Sequence, residues 1–311
     1  MSQIKIINPY VDRISIYKKI FYKLKFNKLT GRYFNNDKLM SWLVLIGSNI
    51  KGYELKKKIK KFYNKEKFNL SYPKFIEIET INKCNMSCSF CPTNKKNDIR
   101  KFTIMDEKLF KKIIEEISYI DNEVLVYFHS NNEPLLDQRI PEFIQYAKEN
   151  LSNTKAILGM STNGTLLSEE IFLKLTQYLD ILIINNYSEN MQLIKTVKNI
   201  YKRYRYNEFT ADITINLRNV KEVIKNVGGN SPNYSYNKPI NIQCLLPFEQ
   251  MVIRPDGKIS LCCKDVYGQY TLGDIRYETI SSIWNNDIYN NLRKKMRLGR
   301  NNIQLCSNCN F

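Results

Sequence analysis

The sequence predicts an α/β fold in which a mainly parallel sheet carries helices on its outer side. Between residues 75 and 217, short β-rich apolar runs alternate with longer amphipathic runs, and one helix-length run follows each strand but the last. Repeated strand–helix units of this kind give parallel strands joined by helical crossovers. With 43% hydrophobic residues among 311, the chain has enough apolar surface for a substantial core.

Each predicted element has its own pattern. Residues 75–80 alternate between apolar and polar, whereas residues 123–129 form the continuous apolar run of a buried strand. Ser168, followed by two glutamates, predicts the start of a helix. In chain order, the predicted strands are 75–80, 123–129, 155–160, 181–185 and 212–217, and the predicted helices are 106–118, 141–150, 168–179 and 189–204.

A stretch rich in Gly, Asn, Ser and Pro at residues 228–233 interrupts this alternation and predicts a domain boundary. The predicted domains are therefore a basic N-terminal extension (1–74), the strand–helix domain (75–230) and a C-terminal segment (231–311).

The N-terminal extension carries most of the net charge of +18, because residues 1–75 contain 18 Lys and Arg against 4 Asp and Glu. Apolar residues recur at helical spacing within 11–24 and 55–62, which predicts basic amphipathic helices. Such helices can lie on an anionic membrane or bind an acidic partner. Alternatively, their apolar faces dock on the catalytic domain while the lysines stay in solvent. No nucleic-acid recognition motif accompanies the charge, and we expect no nucleic-acid partner.

The chain carries no sequence signal for export or membrane insertion. Its longest apolar run, residues 42–46, is far shorter than the roughly 20 residues that span a bilayer, and its start does not resemble a signal peptide. Eight cysteines without an export signal do not predict a disulfide framework. We therefore expect a protein of the reducing cytoplasm, where the extension would allow peripheral binding at the inner membrane face.

Three cysteines, Cys84, Cys88 and Cys91, follow the first predicted strand with the spacing C-x3-C-x2-C. Three thiolates are one too few to close a tetrahedral site, so a cubane cluster held here would keep one iron open to an outside ligand. A zinc site would need a fourth nearby ligand, and the only histidine is His129. A disulfide would leave one thiol over, so both alternatives are less favoured.

This loop resembles the signature of the radical S-adenosylmethionine (SAM) enzymes. The resemblance implies a partial (β/α)6 barrel and a 4Fe-4S cluster on the three cysteines, whose open iron chelates the methionine end of SAM. It also implies that Phe90, the aromatic residue before the last cysteine, lies near the adenine.

Residues 131–134, Asn-Asn-Glu-Pro, resemble the Gly-Gly-Glu-Pro segment of that family. The resemblance implies that Asn132, Glu133 and Pro134 bind the methionine part of SAM. Asparagine replaces both glycines, and asparagine tolerates the left-handed backbone that such a turn would require.

Residues 161–164, Ser-Thr-Asn-Gly, are similar to the family segment that places polar side chains near the ribose and carboxylate of SAM. This implies roles for Ser161 and Asn163 in cofactor binding. Taken alone, the segment is only a turn before a helix. His129 ends an apolar strand, where a lone histidine is more often packed than functional, and it is not assigned to the site.

A second cysteine group surrounds a predicted β-hairpin whose turn is Pro255-Asp256-Gly257. One cysteine precedes the hairpin, an adjacent pair ends it, and a C-x2-C pair closes the chain: Cys244, Cys262 and Cys263, Cys306 and Cys309. Four thiolates close a metal site, and a structural zinc is the alternative to an iron–sulfur cluster.

This segment resembles the SPASM or twitch extension of radical SAM enzymes. The resemblance implies one auxiliary 4Fe-4S cluster with Cys244, Cys262, Cys306 and Cys309 as ligands. Cys263 would then point to the other face of its strand, either as a packed thiol or as a hydrogen-atom donor.

The resemblance implies that a 5′-deoxyadenosyl radical abstracts hydrogen from the substrate. We expect an oxidoreductase of the 2-deoxy-scyllo-inosamine dehydrogenase type, which oxidises a carbohydrate or cyclitol alcohol while the auxiliary cluster accepts an electron. Arg218, at the end of the last predicted strand, would serve as base or substrate anchor, and a flavodoxin or ferredoxin would be the reductant. Sugar epimerisation with Cys263 as donor, maturation of a peptide substrate, and a non-enzymatic iron–sulfur protein remain alternatives.

Overall fold

The computed structural model describes residues 2–8, 71–222, 228–232 and 243–309. The described residues 2–6 and those from 71 onward belong to one compact unit. The helices predicted within 11–24 and 55–62 lie outside the described residues, and so do the membrane and partner surfaces predicted from them.

Eight strands and eight α-helices occur in the described residues. The strands are β1 (Lys5–Ile7), β2 (Phe75–Ile78), β3 (Val124–Tyr127), β4 (Ala156–Thr162), β5 (Ile181–Tyr187), β6 (Asp212–Arg218), β7 (Gln250–Ile253) and β8 (Ile259–Ser260). The helices are α1 (Glu107–Ser118), α2 (Ile140–Asn150), α3 (Glu169–Tyr178), α4 (Lys195–Tyr204), α5 (Leu246–Glu249), α6 (Ile280–Trp284), α7 (Asp287–Leu298) and α8 (Gln304–Ser307). Two short 3-10 helices span Pro134–Leu136 and Arg300–Asn302.

All eight strands belong to one sheet with the order β1-β6-β5-β4-β3-β2-β7-β8. Strands β2 to β6 are parallel, each joined to the next by one of the helices α1 to α4. Strand β7 lies parallel to β2, with Phe75 opposite Gln250, and β8 lies antiparallel to β7. The predicted fold class is confirmed, and the predicted hairpin continues the sheet of the strand–helix units.

The sheet crosses the predicted domain boundary at residue 230, because β7 follows that boundary in the chain and pairs with β2. The boundaries themselves stay predictions. At the other edge of the sheet lies β1, a strand within the extension that we expected to be mainly helical. Ser2 and Phe209 exchange two backbone hydrogen bonds of 2.8 and 3.0 Å there.

The helix predicted at residues 189–204 begins only at Lys195. Before it, the backbone carbonyl of Gln192 accepts hydrogen bonds from the side chains of Asn186 and Ser188, and Met191 has a φ of 57°. These side-chain contacts hold a turn where the helical pattern predicted a first helical turn.

Helix α1 shows how the helices cover the sheet. The Asp106 side chain accepts hydrogen bonds from the first backbone N–H groups, and Phe110, Ile113, Ile114 and Ile117 recur at helical spacing and are buried. The Phe110 ring stacks on Phe143 of α2 with centroids 4.1 Å apart. Burying each such side chain contributes about 1.5–3 kcal/mol.

None of the described helices is both long enough and apolar enough to cross a membrane.

Gly164, at the turn after β4, is expected to resist substitution. Its φ is 76°, and a Cβ atom there would lie 2.6 Å from Cγ2 of Val197. Gly164→Ala should lower the free energy of unfolding by about 1–3 kcal/mol for the backbone strain, plus a clash term, as measured by chemical denaturation.

Gly229→Ala is the matched control, because Gly229 has nearly the same φ, 79°, but the nearest atom to its added Cβ, the Cβ of Asn308, is 3.2 Å away. An equal loss in both variants would show that the contact with Val197 does not matter.

Candidate active site

A cavity of about 260 Å³ lies where the carboxyl ends of the parallel strands meet. Residues that end or follow β2, β3, β4, β5 and β6 line it, and residues that follow β8 close one side. Loops at this edge of a parallel α/β sheet or barrel are where ligands bind, so the fold places the predicted site residues in the expected position.

Cys84, Cys88 and Cys91 all line this cavity. The backbone of their loop is held by Asn94, which is only 3% exposed. The Asn94 amide donates to the carbonyls of Cys88 and Cys91 at 3.2 and 2.7 Å, and its oxygen accepts from two following backbone N–H groups. Hydrogen bonds from one side chain within the loop therefore fix the backbone that carries Cys88 and Cys91.

Arg100 fastens this loop to its surroundings. Its guanidinium donates to Glu79 at 3.1 Å and to Asp98 at 3.0 Å, and also to the carbonyls of Asn82 and Asn131 at 2.7 and 2.8 Å. Burial raises the pKa of Glu79, and the charge of Arg100 opposes that rise. Because these partners lie before the cysteines, after them and in the facing loop, one largely buried side chain joins the two loops that line the cavity.

Glu133 is buried and accepts three hydrogen bonds from neighbouring groups. Its carboxylate accepts hydrogen bonds from the Thr162 hydroxyl and the Asn163 backbone, both at 2.6 Å, and from the Leu135 backbone at 3.2 Å. Burial raises the pKa of Glu133 to about 7, although these hydrogen bonds act to lower it. The carboxylate thus ties the loop after β3 to the end of β4.

Asn132 is 7% exposed, and its Oδ1 accepts a hydrogen bond from the Ser130 backbone at 3.1 Å. Its Nδ2 is buried and has no hydrogen-bond partner in the described part of the chain. A buried amide donor without a partner fits a ligand that brings an acceptor oxygen, such as a carboxylate. The backbone at Asn131 and Asn132 has negative φ, so this turn does not need the left-handed geometry that glycine would supply.

The structure brings together most of the predicted site residues. Asn163 donates to Asn85 at 2.8 Å and lies 4.0 Å from the Cys84 sulfur. Ser161 and Pro134 do not line the cavity. The Ser161 hydroxyl instead pairs with the Tyr127 hydroxyl at 2.7 Å, and Pro134 is a buried residue that begins a 3-10 helix.

Arg218 faces the cavity at the end of β6. Its guanidinium carbon lies 5.6 Å from the ring centre of Phe90 and 5.1 Å from that of Tyr187, and it forms an ion pair with Glu222. Cation–π contacts and a carboxylate therefore hold Arg218 in place, unlike an ordinary surface arginine.

The lining residues that were not predicted include His129, Tyr187 and Lys264. Burial, with a smaller contribution from Lys264, lowers the pKa of His129 to about 4, so its imidazole is neutral at physiological pH. Tyr187 is the last residue of β5, and residues at strand ends were expected to line the site. Tyr187 was not predicted because the strand was expected to end at Asn185.

Of the second cysteine group, Cys263 lines the cavity, and the other four cysteines are not among its lining residues. The backbone N–H of Cys263 donates to Gln250 at 3.1 Å while its carbonyl accepts from Asn131 at 3.1 Å. Burial raises the pKa of Cys262 well above its usual value, and the nearby thiols, including Cys263 and Cys244, add to this. The two neighbouring cysteines therefore lie in different environments: Cys263 at the cavity, and Cys262 near the other thiols of the second group.

Burial and the neighbouring thiols Cys244 and Cys309 raise the pKa of Cys306 to about 12, so the four predicted ligands of the second group lie near one another. Within the described ranges, no three His, Cys, Asp or Glu side chains are close enough to hold a single metal ion. Thiolates are the ligands of iron–sulfur clusters, and the donor sets at both places fit such clusters.

Two family models match the chain. The model of the radical SAM superfamily matches residues 78–233, and that of an iron–sulfur cluster-binding domain, SPASM, matches residues 244–310. Among curated proteins, the S-adenosyl-L-methionine-dependent 2-deoxy-scyllo-inosamine dehydrogenase of Niallia circulans is 27% identical over 240 residues, which cover 76% of this chain and 92% of the relative.

Two solved structures share the fold. BtrN in complex with AdoMet and 2-DOIA has a TM-score of 0.66 at 26% identity, covering 76% of this chain and 93% of that one. BtrN in an open conformation has a TM-score of 0.57 at 24% identity, covering 79% of this chain and 94% of that one.

The Arg100 network gives a stability prediction. Arg100→Lys keeps the charge but loses the planar fork, so the buried Glu79 and the two carbonyls cannot all keep their donors. We expect the free energy of unfolding to fall by about 1–3 kcal/mol for each buried acceptor left without a donor, as measured by chemical denaturation. Arg203→Lys is the control, because its exposed pair with Glu169 should be worth less than about 1 kcal/mol. Equal losses would contradict the role of Arg100.

The two adjacent cysteines give a second prediction. Cys262→Ala should lower the iron and sulfide content of anaerobically reconstituted protein, because Cys262 is the predicted cluster ligand of the pair. Cys263→Ala should leave both contents unchanged. Loss of iron in Cys263→Ala alone would reverse the assignment of the two residues.

Proposed function

Because the chain belongs to the radical SAM superfamily, we propose that it is a dehydrogenase that oxidises an alcohol carbon of a cyclitol or sugar. One observation carries the proposal: the same cavity is lined by Cys84, Cys88 and Cys91 and also by Cys263, the neighbour in sequence of the predicted cluster ligand Cys262. A substrate bound in this cavity would lie near both groups of cysteines. The named activity of the Niallia circulans relative supports this reading.

The predicted cofactors are confirmed by the family matches. A radical SAM domain implies SAM with a 4Fe-4S cluster, and a SPASM domain implies an auxiliary cluster. When bound, these groups supply a 5′-deoxyadenosyl radical that takes a hydrogen atom from the substrate, and a site that accepts one electron. The protein's own residues must then bind the substrate, orient it, exclude water and receive a proton.

Three side chains around the cysteine loop are suited to hold the amino-acid end of SAM. Asn132 has an unpartnered buried donor, Glu133 presents a buried carboxylate, and the Asn163 amide lies beside Cys84. Phe90 is 6% exposed and packs against Tyr187 with ring centres 5.7 Å apart, which gives a flat apolar wall for adenine.

Arg218 acts on the substrate hydroxyl in this proposal. A guanidinium stays protonated, so Arg218 is an anchor that stabilises negative charge on the oxygen rather than a base. His129 is neutral and lines the same cavity, so it can accept a hydrogen bond from that hydroxyl. The polar lining fits a substrate with several hydroxyl groups.

Epimerisation of a sugar is the second candidate, and a specific observation favours it. The Cys263 side of the loop faces the cavity, which is where a thiol would return a hydrogen atom to a substrate radical. Burial raises the pKa of Cys263 to about 12, so it carries its hydrogen at neutral pH, as such a donor must.

Anaerobically reconstituted protein with SAM, a reductant and a panel of cyclitols, aminocyclitols, nucleotide sugars and short peptides tests the proposal. We expect one cyclitol or sugar to yield a product lighter by two hydrogens, by mass spectrometry. Arg218→Gln should lower turnover by about 10²-fold or more, whereas Arg205→Gln, an exposed change outside the cavity lining, should not. Turnover of a peptide alone would contradict the proposal.

Cys263→Ala separates the two candidates. A dehydrogenase should keep its turnover in this variant, because no hydrogen atom is returned to the substrate. An epimerase should lose turnover with both clusters intact, and the native enzyme should introduce one solvent deuterium into a product of unchanged composition.

A further inference from the structure

Helix α7 has a strongly basic outer side. Between residues 287 and 300, the sequence has five Lys and Arg and a single acidic residue, Asp287, at the far end of the helix. Lys294, Lys295 and Arg297 are exposed, near the C-terminus of α7. Their positive charges form a compact patch, which we call the α7 patch.

The inner side of the same helix contacts the predicted ligands of the second cysteine group. Met296 is fully buried between Lys295 and Arg297, and its sulfur accepts a hydrogen bond from the Cys244 backbone at 3.3 Å. Arg300, just after the helix, donates to the Cys309 carbonyl at 3.4 Å. Because a helix with its side chains is only about 10 Å thick, the α7 patch lies close to these cysteines.

Apolar surface accompanies the charges. Ile288 is 55% exposed and Leu298 is 80% exposed. A groove of about 310 Å³ runs along the helix, lined by Ile288, Leu292 and Lys295 together with Thr271 and Leu272. Exposed apolar side chains beside charges of one sign are typical of a surface that binds a protein of the opposite charge.

We propose that the α7 patch is the docking surface for an acidic one-electron carrier protein, of the flavin or iron–sulfur type, that removes the electron left by the substrate. The proposal rests on the proposed function for the origin of this electron. In each turnover the alcohol loses two hydrogens. One leaves as a hydrogen atom that ends on 5′-deoxyadenosine, and the other leaves as a proton and an electron. The oxidised carrier takes up that electron and is reduced by one.

Charge explains why the partner is acidic. Cations clustered on one side of a helix raise the association rate of an acidic protein and hold it in one orientation, and salt screens this attraction. Helix α4 offers a contrast, because its exposed Lys195, Lys198 and Lys202 lie on a helix whose buried Val197 and Ile200 pack on the strand–helix domain, not on cysteines.

The test measures binding of a purified oxidised flavodoxin, and in a parallel arm a ferredoxin, to the reconstituted holoenzyme by titration calorimetry. Reversing the patch with Lys294→Glu, Lys295→Glu and Arg297→Glu together should weaken binding of at least one carrier by about 10-fold or more. The same reversal at Lys195, Lys198 and Lys202 has an equal effect on net charge and should leave the dissociation constant within about twofold of the native value.

A second variant with glutamine at the three α7 positions guards against misfolding caused by negative charge at a helix C-terminus, and it should weaken binding by a smaller factor. Native binding should also weaken as ionic strength rises from about 0.05 to about 0.5 M. Equal binding by the native protein and the α7 reversal, or equal losses in the two reversals, would overturn the proposal.

The outcome does not depend on identifying the substrate. Carrier binding that needs the α7 patch in a protein without dehydrogenase activity would contradict the proposed function and leave the docking surface standing. If the protein has dehydrogenase activity but the α7 reversal does not change carrier binding, the docking surface is contradicted and the proposed function stands.

Discussion

The site depends on how the chain holds a long loop that has almost no regular structure. Between the end of β2 and the start of α1, the described chain forms neither helix nor strand, yet it must present three thiols in a fixed arrangement. Arg100 provides the constraint, because its guanidinium joins Glu79, Asp98 and the carbonyl of Asn131 on the facing loop. A largely buried planar fork makes several directed hydrogen bonds at once, so the loop that carries the three thiols has a defined backbone path.

A second set of contacts fixes the C-terminal segment against this loop. Strand β7 pairs with β2 along its whole length, and the Tyr267 hydroxyl donates to the Pro92 carbonyl at 3.2 Å. Gln250 links the two parts inside the sheet, because its amide donates to the buried Glu77 at 2.8 Å and its oxygen accepts from the Cys263 backbone. The wall of the cavity that contains Cys263 is thus built from the same sheet as the wall that contains the cysteine triad.

Local patterns predicted the strand–helix order, the hairpin and the cysteine loop, because periodicity, turn residues and cysteine spacing all involve residues that are close in sequence. Residues that act through distant contacts were not predictable in this way. Arg100 gives no local signal, and Lys264 reaches the cavity only because β7 joins the edge of the sheet at β2. His129 was set aside on its apolar strand, although the structure places it in the cavity lining, and β1 was hidden within a basic segment.

The central claim is that three cysteines, and no fourth protein ligand, hold a cluster with one iron open to SAM. The most direct measurement is electron paramagnetic resonance of the reduced protein in a variant with Cys306→Ala and Cys309→Ala, which should retain only the first cluster. Adding SAM should change the spectrum, because the cofactor becomes a ligand of the open iron. A spectrum that is the same with and without SAM, in a protein that contains the cluster, would contradict the account.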